Sequence, residues 1–372
     1  MKLGIFADRP VTACTGFSIV CSNLALELAK LGVSVYYFGR FGQKSGFAKF
    51  PDPTWTFPYF YIPCEGGVWK AKTVIEAIKH YKIDAIFSED DWFSMDGLLE
   101  AAHVTKKPFF FLTPIDSLPI PKETIKKLRL CTAVFTPNSS YKILRQYKVN
   151  AFYLPHGVRT EFFKPLKKPE TFTFIWIGRD EPRKALGRFI IACSEILMKT
   201  DANILIHSDW ETPSGKRTKK FLHKEFYAFG DRIFLSQMSN MRHKLMTYIY
   251  NRGHVFVCTA KAGGFEMGIT ESASCEVPSI VNNWTFMREN VVHGKTGWLV
   301  DWSSLERDWM GHRRVWANIN IRELAKRMLW CYNNQEEVRR VGRQARQYVK
   351  EKYDWLKIAK HLLGTITKYV SG

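Results

Sequence analysis

Patterns typical of buried β-strands alternate with amphipathic helical patterns along almost the whole chain, and this alternation is the strongest constraint on the fold. A first run of strand patterns falls at 3–7, 34–39, 84–88, 109–113, 133–136 and 152–154. A second run falls at 172–178, 203–207, 233–235, 255–259 and 279–281. Apolar strands that alternate with helices favour parallel, doubly wound sheets. The sequence therefore predicts an α/β protein.

Two domains are predicted because the alternation stops and then starts again. A linker at about 158–170, which contains Pro165 and Pro169, separates the two runs. The 372 residues are enough for two domains of ordinary size. We expect Rossmann-like domains at 1–160 and 161–350, followed by a last amphipathic helix within 351–372.

The formal net charge of +20 demands an anionic partner, but it does not choose one. An anionic membrane surface, a nucleic acid and an anionic glycan all remain open. The densest basic segments are 215–224 and 120–129. The chain has no apolar run of the roughly 20 residues that a membrane span needs, and its eight cysteines form no Cys-x-x-Cys pair. We expect a cytoplasmic protein, either free or held peripherally at the inner membrane surface.

A basic loop follows the first strand pattern of the second run. The strand at 172–178 ends in Gly178 and is followed by Arg179 and then by Lys184 at the start of a helical pattern. Two fixed cations at this place can converge on a diphosphate and stabilise the negative charge that develops on it. The alternative is a solvated loop in which Arg179 forms a surface ion pair.

A second strand pattern, 255–259, leads into a glycine-containing turn that reads Gly-Gly-Phe-Glu-Met-Gly-Ile-Thr-Glu from Gly263 to Glu271. Glycines allow a ligand to approach the backbone closely. A helical pattern at 270–275 follows, so Glu271 is predicted in the first turn of a helix, where the helix dipole stabilises a carboxylate.

These segments together resemble family 4 of the retaining glycosyltransferases, which have the GT-B fold. In that family the turn usually reads Glu-Gly-Phe-Gly, with a second Glu eight positions after the first. Phe265 and Glu271 match this pattern, whereas Gly263 stands in place of the first Glu and Glu266 in place of the last Gly. The resemblance implies that Glu271 holds the donor's ribose and that the Arg179 and Lys184 loop holds its phosphates. The family's first Glu faces the transferred sugar.

Two further segments extend the resemblance. Residues 153–165 include His156-Gly157-Val158, although Arg159 follows where the family commonly has Asp. Residues 288–300 match the family's Glu-Val-Val…Gly-x-Thr-Gly-x-Leu-Val ending, which turn chemistry also favours. The resemblance implies two Rossmann-like domains that face a central cleft, with 1–160 on the acceptor side and 161–350 on the donor side. It also implies that the last helix packs back on the first domain.

Candidate residues in the first run lie at predicted strand ends. Gly16 follows the first strand and allows close approach of the donor, or it simply forms a turn with Ser18 as the helix N-cap. Asp116, framed by Pro114 and Ser117, is the leading acceptor-side carboxylate, and its alternative is a cap. Asp91 is a weaker candidate of the same kind.

The sequence thus predicts a hexosyltransferase that moves a sugar from a UDP- or GDP-linked donor to a glycan, lipid or protein acceptor, with retention and without a metal or other cofactor. Asp116 and Glu266 are the predicted catalytic residues. The predicted donor-binding residues are Gly16, Arg179, Lys184, Gly264, Phe265, Met267, Gly268 and Glu271. Two alternatives stay open: a nucleotide-sugar-binding or scaffold protein that lost catalysis, motivated by Gly263, and a basic protein associated with nucleic acid.

Overall fold

The computed structural model describes residues 1–9, 15–40, 59–61, 68–238, 242–308 and 314–370. The chain divides into two compact units. Unit 1 contains Met1–Ile115, Ile120–Gly157 and Trp355–Gly372, and unit 2 contains Asp116–Pro119 and Val158–Asp354. Cys14 and Cys64 lie outside the described residues, whereas the other six cysteines are buried free thiols.

Unit 1 is built on a seven-stranded sheet in the order β3-β2-β1-β4-β5-β6-β7, and all neighbouring strands are parallel. The strands are β1 (Lys2–Ala7), β2 (Ser34–Gly39), β3 (Tyr59–Tyr61), β4 (Ala85–Glu89), β5 (Phe109–Leu112), β6 (Ala133–Thr136) and β7 (Ala151–Tyr153). The side chains of β4, β5 and β6 are buried at every position, as expected for a sheet covered on both faces.

Unit 2 is built on a six-stranded parallel sheet in the order β10-β9-β8-β11-β12-β13, with a separate antiparallel hairpin. The sheet strands are β8 (Thr173–Ile177), β9 (Asn203–Ser208), β10 (Ile233–Gln237), β11 (Val255–Cys258), β12 (Ser279–Asn282) and β13 (Gly297–Val300). The hairpin strands are β14 (Trp302–Arg307) and β15 (Val315–Ile319).

Helices connect the strands in both units. In chain order they are α1 (Gly16–Lys30), α2 (Ala71–Tyr81), α3 (Asp96–Thr105), α4 (Lys122–Leu128), α5 (Ser140–Gln146), α6 (Leu186–Lys199), α7 (Pro213–Glu225), α8 (Met246–Tyr250), α9 (Met267–Ser274), α10 (Ile321–Asn333), α11 (Gln335–Lys352) and α12 (Trp355–Val370). Within the described chain, no helix is long and apolar enough to cross a membrane.

The core of unit 2 shows why its central strand is apolar throughout. Phe174 and Trp176 of β8 pack into the core on one face of the sheet, and Ile175 between them packs into the core on the other face. Successive side chains of a strand point to opposite faces, so a doubly covered strand needs apolar residues at every position. The predicted pair of doubly wound parallel sheets is therefore confirmed.

The sequence patterns missed β3, β13, β14 and β15. β3 has only three residues and β14 is exposed at five of its six positions, so neither gives a sustained buried pattern. β15 is buried at four of its five positions and was missed all the same. β13 lies in the 288–300 segment, which the family resemblance and turn chemistry both cover. Gly297 at its first position has φ +158 and lies so near Ser279 that a Cβ there would be 2.5 Å from a carbonyl oxygen.

Gly157 has a packing role in unit 1. A Cβ at this position would lie 2.4 Å from the indole ring of Trp355, the first residue of α12. Trp355 is buried, and α12 packs against α1. The absence of a side chain at Gly157 is thus what admits the start of the last helix into unit 1.

We expect Gly157→Ala to destabilise the protein by about 1–3 kcal/mol, because the new methyl group forces the Trp355 ring to move in a packed core. Thermal unfolding would measure the effect as a lower Tm. Gly364→Ala is the matched control, since Gly364 lies in α12 with nothing within 4 Å of an added Cβ. Alanine favours helix there. Equal Tm values for the two variants would contradict this packing role.

Candidate active site

Two loops of unit 2 meet because the strands that carry them are neighbours. β8 pairs with β11, so the loops that leave their carboxyl ends lie side by side. The Thr259 hydroxyl donates to the backbone oxygens of Lys184 (3.0 Å) and Ala185 (3.1 Å), and it accepts from Trp176 Nε1 (3.0 Å). The amide of Lys261 donates to the backbone oxygen of Arg183 at 2.8 Å.

The Glu266 carboxylate is the centre of this junction. Its Oε2 accepts from Lys184 Nζ at 2.5 Å, and its Oε1 lies 3.3 Å from Arg183 Nη1. Arg183 Nη1 also donates to the backbone oxygen of Ala262 at 2.8 Å. Burial acts to raise the pKa of Glu266, but Lys184 and Arg183 outweigh it and hold that pKa below its usual value. Glu266 is therefore held as a carboxylate by two cations.

The space beside Gly263 is filled by this same carboxylate. A Cβ on Gly263 would lie 2.6 Å from Glu266 Oε1 and 3.0 Å from Glu266 Cγ. Real Cβ atoms essentially never show contacts under 3.0 Å, so a side chain at Gly263 requires the Glu266 carboxylate to shift. The Glu266 carboxylate thus lies in the space beside Gly263.

Glu271 does not lie in the first turn of its helix, and that part of the prediction is wrong. α9 begins at Met267, so Glu271 is its fifth residue. The helical pattern suggested a later start because Gly268, a poor helix former, occupies the true first turn. Glu266, the residue before α9, is extended and makes no side-chain cap, because its carboxylate is bound to Lys184 instead.

Both carboxylate oxygens of Glu271 are bound by protein side chains. Oε1 lies 2.6 Å from His243 Nε2, and Oε2 accepts from the Tyr250 hydroxyl at 2.8 Å. Tyr250 is buried, and burial followed by the Glu271 charge raises its pKa well above the usual value, so the hydroxyl stays protonated. The His243 side chain is 24% exposed and packs on the Phe163 ring at 5.0 Å between centroids. Of the two partners of the Glu271 carboxylate, the partly exposed His243 is therefore the one that a ligand can displace.

The structure places Arg179 apart from the Glu266 cluster. Its side chain is 62% exposed and lies 3.6 Å from Glu181, which is the surface ion pair considered as the alternative. Arg183 is the cation that accompanies Lys184, and the sequence reading missed it as a site residue. The only available signal was its position directly before Lys184 in the same loop. Burial acts to lower the pKa of Arg183, but Glu266 and then Asp116 outweigh it and raise that pKa.

The remaining predicted residues of the turn support its shape. Gly264 is buried, and Phe265 packs edge-on against Tyr353 at 5.5 Å. Met267 is the first residue of α9, and Gly268 the second. A Cβ on Gly268 would lie 3.2 Å from the Phe256 ring of β11. A glycine therefore lets α9 start close against its own strand.

Gly16 is the first residue of α1 in unit 1, but Ser18 is not the N-cap, contrary to the alternative reading. Thr15 caps the helix and its hydroxyl accepts from the amide of Ser18 at 3.4 Å. The Ser18 hydroxyl instead donates to Asp8 Oδ1 at 2.7 Å.

Asp116 belongs to unit 2, whereas the sequence reading placed it in the 1–160 domain. Its Oδ1 accepts from Arg314 Nη1 at 2.7 Å, and Arg314 Nε donates to Asp308 at 2.9 Å. The backbone oxygen of Leu118 accepts from the amide of Val315 in β15 at 2.9 Å. These contacts hold the 116–119 segment on the hairpin of unit 2, which no pattern in the sequence had revealed.

Two histidines near strand ends, His156 and His207, each contact a neighbouring protein side chain. His156 Nε2 lies 2.9 Å from Glu89 Oε1 in unit 1, and burial lowers the pKa of His156 to about 3. His207 is buried, hydrogen-bonded to Ser236 at 3.0 Å, and also lowered in pKa by burial. Asp91 precedes a short 3-10 turn in unit 1, and its backbone oxygen accepts from the Ser94 hydroxyl.

Across the described parts of the chain, no group of three or more His, Cys, Asp and Glu side chains is arranged to hold a metal ion. Metal independence itself stays a prediction.

Comparison with known proteins agrees with the resemblance seen in the sequence. Residues 158–307 match the family described as Glycosyl transferases group 1. No curated protein matches the chain.

Solved structures share the fold at low sequence identity. Sucrose-phosphate synthase from Thermosynechococcus elongatus aligns over 100% of this chain and 99% of its own, with 15% identity and a TM-score of 0.78. A glycosyltransferase from Rickettsia africae aligns over 99% and 98%, with 15% identity and a TM-score of 0.77. Anabaena HepE, in complex with UDP-glucose, aligns over 99% and 100%, with 12% identity and a TM-score of 0.72.

The lowered pKa of Glu266 predicts a pH-dependent contribution to stability. The ionised pair stabilises the fold above the ordinary Glu pKa of 4.5 and loses this effect as the pH falls through the lower folded-state pKa. We expect Glu266→Gln to cost about 1–3 kcal/mol near neutral pH and progressively less below pH 4.5. Urea unfolding at a series of pH values measures this. A cost that stays constant down to strongly acidic pH would contradict the pairing.

Proposed function

We propose that this chain, whose residues 158–307 match the Glycosyl transferases group 1 family, is a hexosyltransferase that takes its sugar from a UDP- or GDP-linked donor. We further propose that transfer proceeds with retention and without a metal. The acceptor is a glycan, a lipid or a protein. Unit 2 binds the donor, as the sequence resemblance suggests.

One observation carries the proposal: Glu266 fills the space beside Gly263. In the glycosyltransferase family that the turn resembles, a carboxylate at the position of Gly263 faces the transferred sugar. In this chain we assign that task to Glu266, three residues further on. Lys184 holds that carboxylate at 2.5 Å, which fixes its position before substrate arrives. Glu266 is therefore assigned to the sugar, where it accepts hydrogen bonds from hydroxyl groups or stabilises developing positive charge.

Lys184 and Arg183 are assigned to the diphosphate, with Arg179 as an exposed third cation. An ammonium group has three N–H donors and a guanidinium has five, so both can keep Glu266 and still donate to phosphate oxygens. Negative charge grows on the diphosphate as the glycosidic bond breaks. Cations that are already in place stabilise this transition state more than the ground state.

Glu271 is assigned to the donor's ribose, with His243 as a residue that must move. Tyr250 holds Oε2 from a buried position, so Oε1 is the oxygen that a ribose hydroxyl can reach. In this structure His243 is hydrogen-bonded to that oxygen. Donor binding therefore exchanges one hydrogen-bond partner of Glu271 for another.

The other predicted residues keep supporting roles in the proposal. Backbone at Gly264, Phe265, Met267 and Gly268 lines the donor, and Gly16 in unit 1 allows close approach of its phosphates or sugar. Asp116 is assigned to the acceptor hydroxyl, whose proton it receives. The whole protein is cytoplasmic in this proposal, with peripheral contact to the anionic inner membrane surface.

A second candidate is a nucleotide-sugar-binding protein without transferase activity. It is favoured because the charged groups of the site already have protein partners. Glu266 binds both cations, and Glu271 is bound at both oxygens. Donor binding without nucleotide release in the presence of any acceptor extract would support it.

Moving the carboxylate tests the assignment of Glu266. We expect Glu266→Gly to lower nucleotide release from UDP- or GDP-sugars by about 100-fold or more, as loss of a preorganised electrostatic group does. The double variant Gly263→Glu/Glu266→Gly returns the carboxylate to the position used in the related turn. It removes the clash at the same time, and we expect it to recover a substantial part of the lost turnover.

Glu211→Gln serves as the control for this series, because Glu211 is an exposed acid on the surface of unit 2. It should keep wild-type turnover. Unaltered turnover of Glu266→Gly, or a double variant no better than the single one at equal Tm, would contradict the assignment.

His243→Ala tests the assignment of Glu271 to the ribose. Removal of a competing hydrogen-bond partner should tighten UDP or GDP binding several-fold, measured by calorimetry, while Tm falls because Glu271 loses a partner. Tyr250→Phe removes the other partner and should lower Tm without tightening nucleotide binding. Weaker nucleotide binding by His243→Ala would show that His243 itself contacts the nucleotide.

A further inference from the structure

Helix α7 (Pro213–Glu225) stands on the surface of unit 2 with little of its length buried. It begins at Thr212, whose side chain caps it, with proline at its first position. Only Gly215 and Leu222 are buried along its 13 residues. The rest of the helix is presented outward, so its exposed composition reflects something other than the core.

The outward face of α7 is a stripe of cations. Lys216, Lys220 and Lys224 follow one another at intervals of four, which places them on one side of the helix, and Arg217 lies beside them. Lys219 flanks the stripe, and all five are exposed. The only acid in the helix is Glu225 at its last position. This stripe, Lys216–Arg217–Lys219–Lys220–Lys224, is hereafter the α7 basic face.

The charge of the α7 basic face is largely uncompensated. Lys216 and Lys224 lie 3.5 and 3.1 Å from the exposed acids Glu211 and Glu225, pairs that contribute little. Arg217, Lys219 and Lys220 have no acidic partner within ion-pair distance in the described chain.

Exposed ion pairs also occur on the basic helices α4 and α11. In α4, Lys126 pairs with Glu123 at 2.9 Å and Lys127 with Asp96 at 2.6 Å. In α11, Arg339 pairs with Glu336, and Arg340 with Glu337. Two of the four cations of segment 120–129 are in such pairs, against two of the five of segment 215–224, so 215–224 has more unpaired cations in the described chain.

Two exposed aromatic side chains accompany the α7 basic face. Phe221 is 49% exposed within the helix, and Tyr227 is 86% exposed just beyond its end. Aromatic rings beside cations suit the interface of a bilayer, where the ring enters the headgroup region and the cations meet anionic lipid.

Helix α7 is also tied to the proposed donor loop. The Ser214 hydroxyl donates to the backbone oxygen of Asp180 at 3.0 Å, and the Thr218 hydroxyl donates to the Asp180 carboxylate at 2.7 Å. Asp180 directly follows Arg179 in the loop after β8. Helix α7 therefore lies next to the loop at the carboxyl end of β8, and any partner that binds α7 is held near this edge of the unit 2 sheet.

We propose that the α7 basic face, with Phe221 and Tyr227, binds the surface of an anionic lipid bilayer. The lipid supplies a two-dimensional array of negative headgroups for the five cations and an apolar boundary for the two rings. The proposal concerns binding, so it stands or falls independently of the transferase reaction. A soluble polyanion such as nucleic acid or an anionic glycan supplies only the charges, and this difference separates the two classes of partner.

The test is co-sedimentation of the full chain with phosphatidylcholine vesicles that contain phosphatidylserine, compared with pure phosphatidylcholine vesicles. We expect binding to the first and not to the second, weakened by added salt. Arg217→Gln/Lys219→Gln/Lys220→Gln should lower partitioning by roughly 100-fold, since each cation near the surface contributes about a fivefold effect.

The matched control removes the same charge elsewhere. Arg339→Gln/Arg340→Gln/Arg343→Gln changes three exposed cations of α11, of which two are already paired, and should bind vesicles almost as well as wild type. Nucleotide release from soluble donor, measured without vesicles, should be unchanged in both variants. A turnover defect would concern the proposed function, not the lipid surface.

Phe221→Ala/Tyr227→Ala separates lipid from other polyanions, because it keeps every charge. We expect it to weaken vesicle binding several-fold and to leave binding to heparin or DNA unchanged. The proposal is overturned if the α7 charge variant sediments like wild type, if the α11 control loses as much, or if the aromatic variant binds vesicles fully.

Discussion

The contact between Glu266 and Lys184 is the interaction on which the rest of the site depends. It joins two loops that leave neighbouring parallel strands, and Thr259 and Lys261 reinforce the junction through backbone carbonyls of the first loop. Burial of charged groups is costly unless they are paired and hydrogen-bonded. Here two cations share one carboxylate, and the net effect is a Glu266 that stays ionised despite being only 14% exposed.

The same contact places the Glu266 carboxylate beside Gly263. Glu266 Oε1 occupies the volume that a Cβ at Gly263 would need, so a side chain at Gly263 requires this carboxylate to shift. The sequence has no acid at Gly263, and the structure has the Glu266 carboxylate in the adjacent space.

The sequence predicted the fold better than it predicted the partners of individual side chains. Both sheets were visible because buried parallel strands are continuously apolar, as 109–112 and 173–177 are. β14 is exposed and carried no such signal. The sequence placed Lys184 and Glu266 after two different strands, and the structure brings the two side chains together. That Glu271 is held by Tyr250 and His243, and that Arg183 joins Lys184 at Glu266, depends on side-chain directions that no spacing encodes.

The discontinuous makeup of both units constrains how the chain can be cut and how it is synthesised. Unit 1 is completed only by α12, whose Trp355 packs on Gly157, so a nascent chain cannot finish that unit until its last helix has left the ribosome. Unit 2 includes Asp116–Pro119, which supplies partners for Arg314 and Val315. A fragment that starts at Val158 therefore lacks part of its own hairpin contacts. Neither unit corresponds to one uninterrupted segment of the chain.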